Sequence, residues 1–307
     1  MANLLEAHNI VKNYASHRAL NDVSINIPKG QVCGLLGPNG AGKTSFIRII
    51  TQITGADSGH ILFDGQPLAA KHTANIGYLP EERGLYKKMP VGEHLLYLAK
   101  LKGMSSAEAM KRVKDWFIRF GIQEWWHKNV EDLSKGMQQK VQFVATVLHE
   151  PQLLILDEPF SGFDPINANL VKDEILRLKE QGTTIIFSTH RMESVEEMCD
   201  NIVLINNAQK VLDGSTKEIR NQFKTNTFSV EGVGILPELP SVYRVLSEEK
   251  QGQEVRAQIQ LPPTEQPNQL LGLLLPHLNI HKFVEQVPSI NDIFIQKVTE
   301  TNSSKSS

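Results

Sequence analysis

The stretch Gly37-Pro-Asn-Gly-Ala-Gly-Lys43-Thr44 decides the fold of this chain. It matches the pattern Gly-x-x-x-x-Gly-Lys-Ser/Thr, in which glycines allow backbone N–H groups to turn towards the phosphates of a nucleotide. A strand-like run, QVCGLLG, precedes it, and apolar residues follow at helical spacing in SFIRIITQI. A phosphate-binding loop requires this position between strand and helix, which disfavours the alternative of a chance glycine-rich turn.

Two side chains of this loop are predicted to have separate roles. Lys43 would reach the β- and γ-phosphates of the nucleotide, and the hydroxyl of Thr44 would bind Mg²⁺. The first turn of the following helix adds the positive end of its dipole. We therefore expect nucleotide to be bound by Gly37, Pro38, Asn39, Gly40, Ala41, Gly42, Lys43, Thr44 and Ser45.

Two adjacent acids supply the second half of the predicted site. Asp157 and Glu158 directly follow the apolar run Leu153–Leu156, which is typical of a buried parallel strand. Asp157 would hold Mg²⁺ through its water shell, and Glu158 would orient or deprotonate the attacking water. The alternative, a pair of solvated loop carboxylates, is disfavoured by the phosphate loop upstream.

The order of predicted elements indicates an α/β fold with an appended domain. Strands are expected within residues 4–36 and helices within 93–148, and the run Thr184–Phe187 completes a strand–helix–strand crossover. The polar stretch Lys217–Asn226 is predicted to be a linker. After it we expect a hairpin, a helix, a strand and a helix, forming a small α+β accessory domain, with residues 301–307 as a disordered tail.

Composition excludes several classes of protein. The 307 residues carry a formal net charge of −2, which gives no support to a nucleic-acid binder. No apolar run approaches the roughly 18 residues that span a bilayer, and no leader-like segment is predicted. Two cysteines, Cys33 and Cys199, do not suffice for a disulfide scaffold and are expected to be small core residues in a reducing cytoplasm.

With these motifs in place, the chain resembles the ATP-binding subunits of ABC transporters over roughly residues 4–215. Leu133-Ser-Lys-Gly-Met137 resembles the LSGGQ signature, Ser161-Gly-Phe-Asp164 the loop after the catalytic glutamate, and His190 the switch histidine. The resemblance implies a P-loop NTPase (ABC ATPase) domain with a mixed sheet over residues 1–217. It also implies a helical subdomain at about residues 85–150, followed by the accessory domain at 218–300.

The resemblance also implies roles for single residues. Glu158, His190 and Lys43 would be catalytic, and Thr44, Glu81 and Asp157 would hold the metal. Further contacts to ATP would come from Tyr14, Ser134, Gly136 and Asp164. In this family the signature binds the γ-phosphate held by the opposite subunit. A head-to-tail dimer, expected to be a homodimer, is therefore implied.

Several residues leave alternatives open. Tyr14 is either an adenine platform or a core aromatic, and Lys135 is either a cation near the partner's phosphate or a solvated lysine. Glu81 stands where the family has glutamine, and would also add negative charge beside the phosphates. Trp125 and Trp126 could line the groove that receives the membrane subunit or pack internally, and Trp116 favours the core.

The sequence thus predicts a cytoplasmic, Mg²⁺-dependent ATPase that powers a separate polytopic permease at the inner face of the cell membrane. The C-terminal extension resembles that of sodium- and drug-efflux ATPases, so export is expected. One alternative is a soluble ABC ATPase acting on ribosomes or nucleic acid, but such chains usually carry tandem ATPase domains or a long coiled coil. Another is a regulatory module, which Glu158 and His190 argue against.

Overall fold

The computed structural model describes residues 2–15, 17–82 and 84–303. The chain divides into two compact units. One comprises the residues up to Thr216 together with the segment from Lys297, and the other is Lys217–Gln296. Residues 297–303 therefore group with the first unit.

The strands of the first unit form a six-stranded and a four-stranded sheet. They are β1 Asn3–Tyr14, β2 His17–Pro28, β3 Val32–Leu36, β4 Ser58–Phe63, β5 Gln66–Pro67, β6 Ile76–Leu79, β7 Leu153–Asp157, β8 Thr184–Ser188, β9 Asn201–Asn206 and β10 Gln209–Ser215. The larger sheet has the order β10-β9-β3-β8-β7-β6, and the smaller has the order β2-β1-β4-β5. Strands β9, β3, β8, β7 and β6 are parallel, and β10 is antiparallel to β9, so the predicted mixed sheet is present.

The parallel strands bring distant parts of the sequence to one edge of the sheet. Every residue of β3, β7 and β8 is buried, which explains why these strands are continuous apolar runs. Because parallel strands share a direction, the loops that follow them all leave at their carboxyl ends. The phosphate loop, the Asp157-Glu158 pair and His190 therefore lie at the same edge.

The helices of the first unit are α1 Lys43–Ile50, α2 Val91–Leu101, α3 Ser106–Phe120, α4 Lys135–Val147, α5 Pro165–Glu180 and α6 Met192–Met198. Helix α1 anchors the phosphate loop, because its Phe46 and Ile47 are fully buried in a cluster with side chains of both sheets. Cys33 and Cys199 are buried and free, as expected of core residues, and burial raises the pKa of the Cys33 thiol to about 12.

Helix α3 begins and ends where the sequence supplies caps. The Ser105 hydroxyl accepts a hydrogen bond from the Glu108 N–H at the start of α3, and Gly121 ends that helix with a φ of 63°. Trp116 is only 9% exposed and packs against Phe120 and Phe143, so it is a core residue.

The second unit contains an antiparallel sheet of order β12-β13-β11-β14. Its elements are β11 Thr227–Gly234, β12 Arg244–Gln251, β13 Glu254–Gln260, α8 Pro267–Leu274 and β14 Leu278–Gln286, with α7 Thr216–Gln222 and α9 Ile290–Ser303 at its two ends. The core consists of apolar residues from three strands and from α8, including Phe228, Ile259, Leu270 and Leu274. The hairpin that the sequence predicts turns at Gly252.

Two sequence predictions are wrong in this region. Much of the predicted linker, Lys217–Asn226, is the helix α7, whose Ile219 is buried and gives a polar segment one apolar anchor. Residues 301–303 of the predicted disordered tail continue α9, where Asn302 makes tertiary hydrogen bonds. Residues 304–307 of that prediction lie outside the described residues.

Candidate active site

The phosphate loop connects β3 to α1 and can only be built with glycine at two positions. Gly37 has a φ of 151° and Gly42 a φ of 117°. A Cβ atom on residue 37 would lie 2.1 Å from the carbonyl oxygen of Ile205. A Cβ atom on residue 42 would lie 2.3 Å from the carbonyl oxygen of Ala19. The loop is therefore in contact with β9 on one side and with β2 on the other.

Lys43 folds back over the phosphate loop. Its ammonium donates hydrogen bonds to the carbonyl oxygens of Gly37, at 2.7 Å, and Pro38, at 3.1 Å. Burial lowers the pKa of this lysine, while negative charge on Asp157, Glu158 and, to a lesser extent, Glu81 raises it. All three predicted carboxylates thus act electrostatically on the predicted phosphate-binding lysine.

Asp157 is the last residue of β7 and is 8% exposed. Burial raises the pKa of its carboxyl group, and a hydrogen bond with the side chain of Ser188 acts in the opposite direction. Glu81 and Glu158 raise that pKa further, and Lys43 lowers it. Such a buried carboxylate, with acidic neighbours and one lysine, is suited to a bound divalent cation.

Glu158 is held by the loop that follows β8. Its carboxylate accepts hydrogen bonds from the Thr189 hydroxyl at 3.1 Å, from the His190 N–H at 2.8 Å and from His190 Nδ1 at 2.8 Å. The Glu158 backbone has a φ of 50°, a conformation that costs a residue with a side chain about 1–3 kcal/mol. The Glu158 side chain is 15% exposed, whereas that of His190 is 77% exposed.

Sequence reasoning missed three polar residues that position this site. Ser188 and Thr189 hydrogen-bond the side chains of Asp157 and Glu158 respectively, and their signal is a pair of hydroxyls directly at the end of a buried strand. The buried Gln142 of α4 donates to the carbonyl oxygens of Pro80 and Glu82, at 3.4 Å each, and so braces the segment that carries Glu81.

The segment that resembles the signature forms the start of α4. Ser134 is its N-cap, and its hydroxyl accepts a hydrogen bond from the Met137 N–H at 3.3 Å. The stem of Lys135 lies beside Gly162, where a Cβ would meet its Cε at 2.9 Å. Gly136 lies near the same loop, because a Cβ on it would be 3.8 Å from the Gly162 carbonyl oxygen. The segment thus lies against the loop after Glu158.

Asp164 and Tyr14 are both at the surface. Asp164 is the N-cap of α5 and accepts a hydrogen bond from the Asn167 N–H at 3.0 Å, and its hydrogen bonds to Asn167 lower its pKa. Tyr14 ends β1 with 39% of its surface exposed, and the Lys12 ammonium lies 5.4 Å from the centre of its ring. Tyr14 is therefore not a core aromatic.

Comparisons with known proteins match both parts of the chain. The family model described as "ABC transporter" matches residues 20–161, and the one described as "ATP-binding protein DrrA1-3-like, C-terminal domain" matches residues 214–298. The Bacillus subtilis protein YhaQ, named as an uncharacterized ABC transporter ATP-binding protein, is 42% identical over 295 residues, covering 96% of this chain and 98% of the relative. The chain belongs to the ABC transporter ATP-binding proteins.

Two further comparisons agree with this family. The linearmycin resistance ATP-binding protein LnrL of Bacillus subtilis is 30% identical, covering 97% of this chain and 99% of its own length. A solved structure described as the ATP-binding subunit of an ABC transporter superposes with a TM-score of 0.68 at 33% identity, covering 72% of this chain and 93% of that one. ABC ATP-binding proteins hydrolyse ATP, so this chain is an ATPase with a P-loop NTPase fold.

The residues predicted to hold Mg²⁺ suit that ion in this ABC ATPase. Thr44 supplies a hydroxyl in the first turn of α1, and Asp157 supplies a carboxylate at the end of β7. Oxygen ligands of this kind are what Mg²⁺ prefers, and it normally takes its remaining ligands from water and substrate phosphates. Within the described ranges, no group of three or more His, Cys, Asp or Glu side chains could hold a metal by itself.

Proposed function

We propose that this ABC ATPase is the energy-supplying subunit of an exporter whose permease is a separate chain. The observation that carries the proposal is Glu158, held by Thr189 and His190 beside the buried Asp157 and Lys43. Export is supported by relatives named for linearmycin resistance and for lantibiotic transport, and by the DrrA-like C-terminal domain. The chain would act at the inner face of the cell membrane.

In this proposal each site residue has one task. Lys43 exchanges the carbonyl groups of its own loop for the β- and γ-phosphates of ATP, and the Thr44, Asp157 and Glu81 oxygens hold Mg²⁺. The ion, when bound, supplies positive charge to the phosphates. Glu158 accepts the proton of the attacking water, and His190 and Thr189 hold its carboxylate at the edge of the sheet.

Ser134 and Gly136 would complete the site of a second subunit. Both lie at the N-terminus of α4, where the N–H groups of the first turn and the helix dipole favour an anion. Asp164 and the exposed Tyr14 would add contacts to the same nucleotide. ATP then joins two copies of the chain, which supports a homodimer.

An apolar cavity supports a docking surface for the permease. Its volume is about 520 Å³, and it is lined by residues that follow α1 and by residues of β6, α2 and α4, among them Tyr78, Leu98 and Thr146. Two exposed apolar side chains, Ile53 and Leu101, line it as well, each with 63% exposure. A short cytoplasmic helix of the permease would fit here. Among the described residues, the tryptophans do not line this cavity, and Trp126 instead packs on Phe117.

The sharpest test of the site is the variant Glu158→Gln. Glutamine keeps the shape but removes the base, so ATP hydrolysis is expected to fall about 10²–10⁴-fold while ATP still binds. Unhydrolysed ATP binds the closed dimer and shifts the equilibrium towards it. Size-exclusion chromatography with ATP and Mg²⁺ is expected to show a dimer, which returns to monomer when ATP is removed.

Two controls make this result specific. The double variant Lys43→Ala with Glu158→Gln lacks the phosphate-binding lysine and is expected to stay monomeric with ATP. The variant Lys111→Ala, in an exposed position of α3, is expected to hydrolyse ATP at the rate of the unsubstituted protein. If Glu158→Gln binds ATP tightly yet remains a monomer at micromolar concentration, the chain does not pair with itself.

A further inference from the structure

The turn between β9 and β10 lies directly against the phosphate loop. The Ala208 N–H donates a hydrogen bond to the Ala41 carbonyl oxygen at 3.2 Å, and the Ala208 carbonyl accepts one from the Asn21 N–H at 2.7 Å. On the same side, Gly37 leaves no room for a side chain next to the Ile205 carbonyl. The position of the phosphate loop therefore depends on the position of this turn.

The turn itself has an unfavourable backbone. Asn207 has a φ of 49° and Ala208 a φ of 66°, the left-handed conformations of a two-residue hairpin turn. Asparagine tolerates this conformation, whereas alanine adopts it rarely because its Cβ approaches the carbonyl oxygen. Contacts from outside the turn must hold Ala208 in place.

The end of α9 contacts the two residues that directly precede Ala208. The side-chain oxygen of Asn302 accepts a hydrogen bond from Asn207 Nδ2 at 2.9 Å and a longer one from Asn206 Nδ2 at 3.4 Å. Asn206 is 2% exposed. One amide oxygen near the C-terminus of the chain thus binds the last residue of β9 and the first residue of the turn.

A cavity gives the loop space to move if this support is lost. Its volume is about 390 Å³, and it is lined on one side by Pro38 to Ala41 and on another by Asn206 to Ala208. Arg18 lies at the same cavity, where it hydrogen-bonds Asn13 and Asn21. A turn that relaxes its left-handed residues would release the Ala41 carbonyl and allow the loop to shift into this space.

We infer that Asn302 is a positioning residue for ATP binding, which acts on the phosphate loop through the β9–β10 turn. The inference rests on the proposed role of residues 37–45 in binding phosphate. Because Asn302 contacts none of Lys43, Glu158 or His190 in the hydrogen bonds described, its loss affects ATP affinity and leaves the chemical step unchanged.

The test compares Asn302→Ala with Asn302→Asp in the full chain. Asn302→Ala removes the acceptor, and we expect the KM and the Kd for ATP with Mg²⁺ to rise about 3–10-fold, with kcat within twofold of the parent. Asn302→Asp keeps an oxygen that accepts from both donors, and we expect it to restore parental values. Ser303→Ala, which removes a hydroxyl bonded to the Thr299 carbonyl of its own helix, serves as the matched control.

A second substitution tests the route through the turn. Asn207→Gly removes the donor but favours the left-handed backbone, so we expect Asn302→Ala to have a smaller effect in that background. Unchanged ATP affinity in Asn302→Ala, a failure of Asn302→Asp to restore it, or a fall in kcat or in folded protein would overturn the inference. If the parent protein does not bind ATP, the proposed function itself fails, and this is seen before any Asn302 variant is measured.

Discussion

Lys43 and Glu158 are both engaged with their own chain. The lysine ammonium donates to two carbonyl groups of the phosphate loop, and the glutamate carboxylate accepts three hydrogen bonds from Thr189 and His190. These contacts satisfy charged groups that are largely buried, which otherwise would carry a large desolvation cost. In the proposed function, ATP therefore has to replace the partners of Lys43, whereas the Glu158 carboxylate is already held by its own chain.

One half-buried residue, His149, also affects how the stability of this chain depends on pH. Burial, together with the positive charges of Lys102 and Arg112, lowers the pKa of His149 to about 4, although a hydrogen bond with the Ile76 carbonyl oxygen opposes the shift. Below the ordinary pKa of 6.5, the unfolded chain therefore binds a proton that the folded chain does not. Stability falls as the pH drops from that value towards 4.

We expect His149→Gln to remove part of this pH dependence. The glutamine amide can donate to the Ile76 carbonyl as the Nε2–H of the imidazole does, but it does not titrate. Between pH 7 and pH 5, the free energy of unfolding is expected to fall by about 1–2 kcal/mol less in the variant than in the parent. Urea unfolding at the two pH values measures this. Equal losses in both proteins would show that His149 does not contribute.

At the scale of elements, one cluster joins α3 to α5. The Glu174 carboxylate pairs with Arg119 at 3.1 Å and with Arg177 at 2.7 Å, and both guanidinium groups lie over the Trp116 ring at 5.7 and 5.6 Å from its centre. Trp116 also packs on Phe143 of α4. The cluster therefore links α5, the helix that follows Asp164, to α3 and through Trp116 to α4, whose N-cap is Ser134.

Removal of the central carboxylate is expected to weaken this link. Glu174 is nearly buried, and Glu174→Ala removes the carboxylate that pairs with two partly exposed guanidinium groups. We therefore expect the free energy of unfolding to fall by about 1–3 kcal/mol. Asp173→Ala, at an exposed neighbouring position of α5, is the control and is expected to cost much less. Urea unfolding at constant pH measures both. Equal effects of the two substitutions would contradict a structural role for the cluster.

At the scale of the whole molecule, the proposed function requires a partner that spans the membrane. Among the residues that the structure describes, no helix is long and apolar enough to cross a bilayer. ATP-binding subunits of this family work with a separate permease and usually form dimers. The energy of hydrolysis in one chain therefore has to reach a substrate path in another.

Export predicts a direction of transport, which can be measured with membrane vesicles. When the chain is produced together with a candidate polytopic permease, inverted membrane vesicles are expected to accumulate a transported probe only with ATP and Mg²⁺. Radioactive sodium and a cationic dye serve as the two probes, because the C-terminal extension resembles that of sodium- and drug-efflux ATPases. The variant Glu158→Gln, with the same permease, is the matched control and is expected to show no accumulation. ATP-driven loss of probe from preloaded inverted vesicles would indicate import instead.

Much of the fold and the location of the site could be predicted from local sequence. The phosphate loop, the Asp157-Glu158 pair and the apolar strands lie in short segments whose residue order sets their backbone geometry. The confirmed α/β fold follows from this order, because parallel strands joined by crossovers place their loops at one edge. The helix at Thr216–Gln222 escaped prediction, since a polar segment with one buried isoleucine has almost no periodic signal.

Only the tertiary structure decided which distant residues meet. Thr189 and His190 reach Glu158 across about 30 positions of sequence, and Asn302 reaches Asn207 across 95. The course of the chain and the register of the strands set these contacts, and neither is written in the spacing of nearby residues. The sequence by itself determined where phosphate chemistry can occur. The tertiary structure decided which side chains support the phosphate loop and Glu158. Side chains so far apart in sequence become neighbours only when the sheet and α9 are in place.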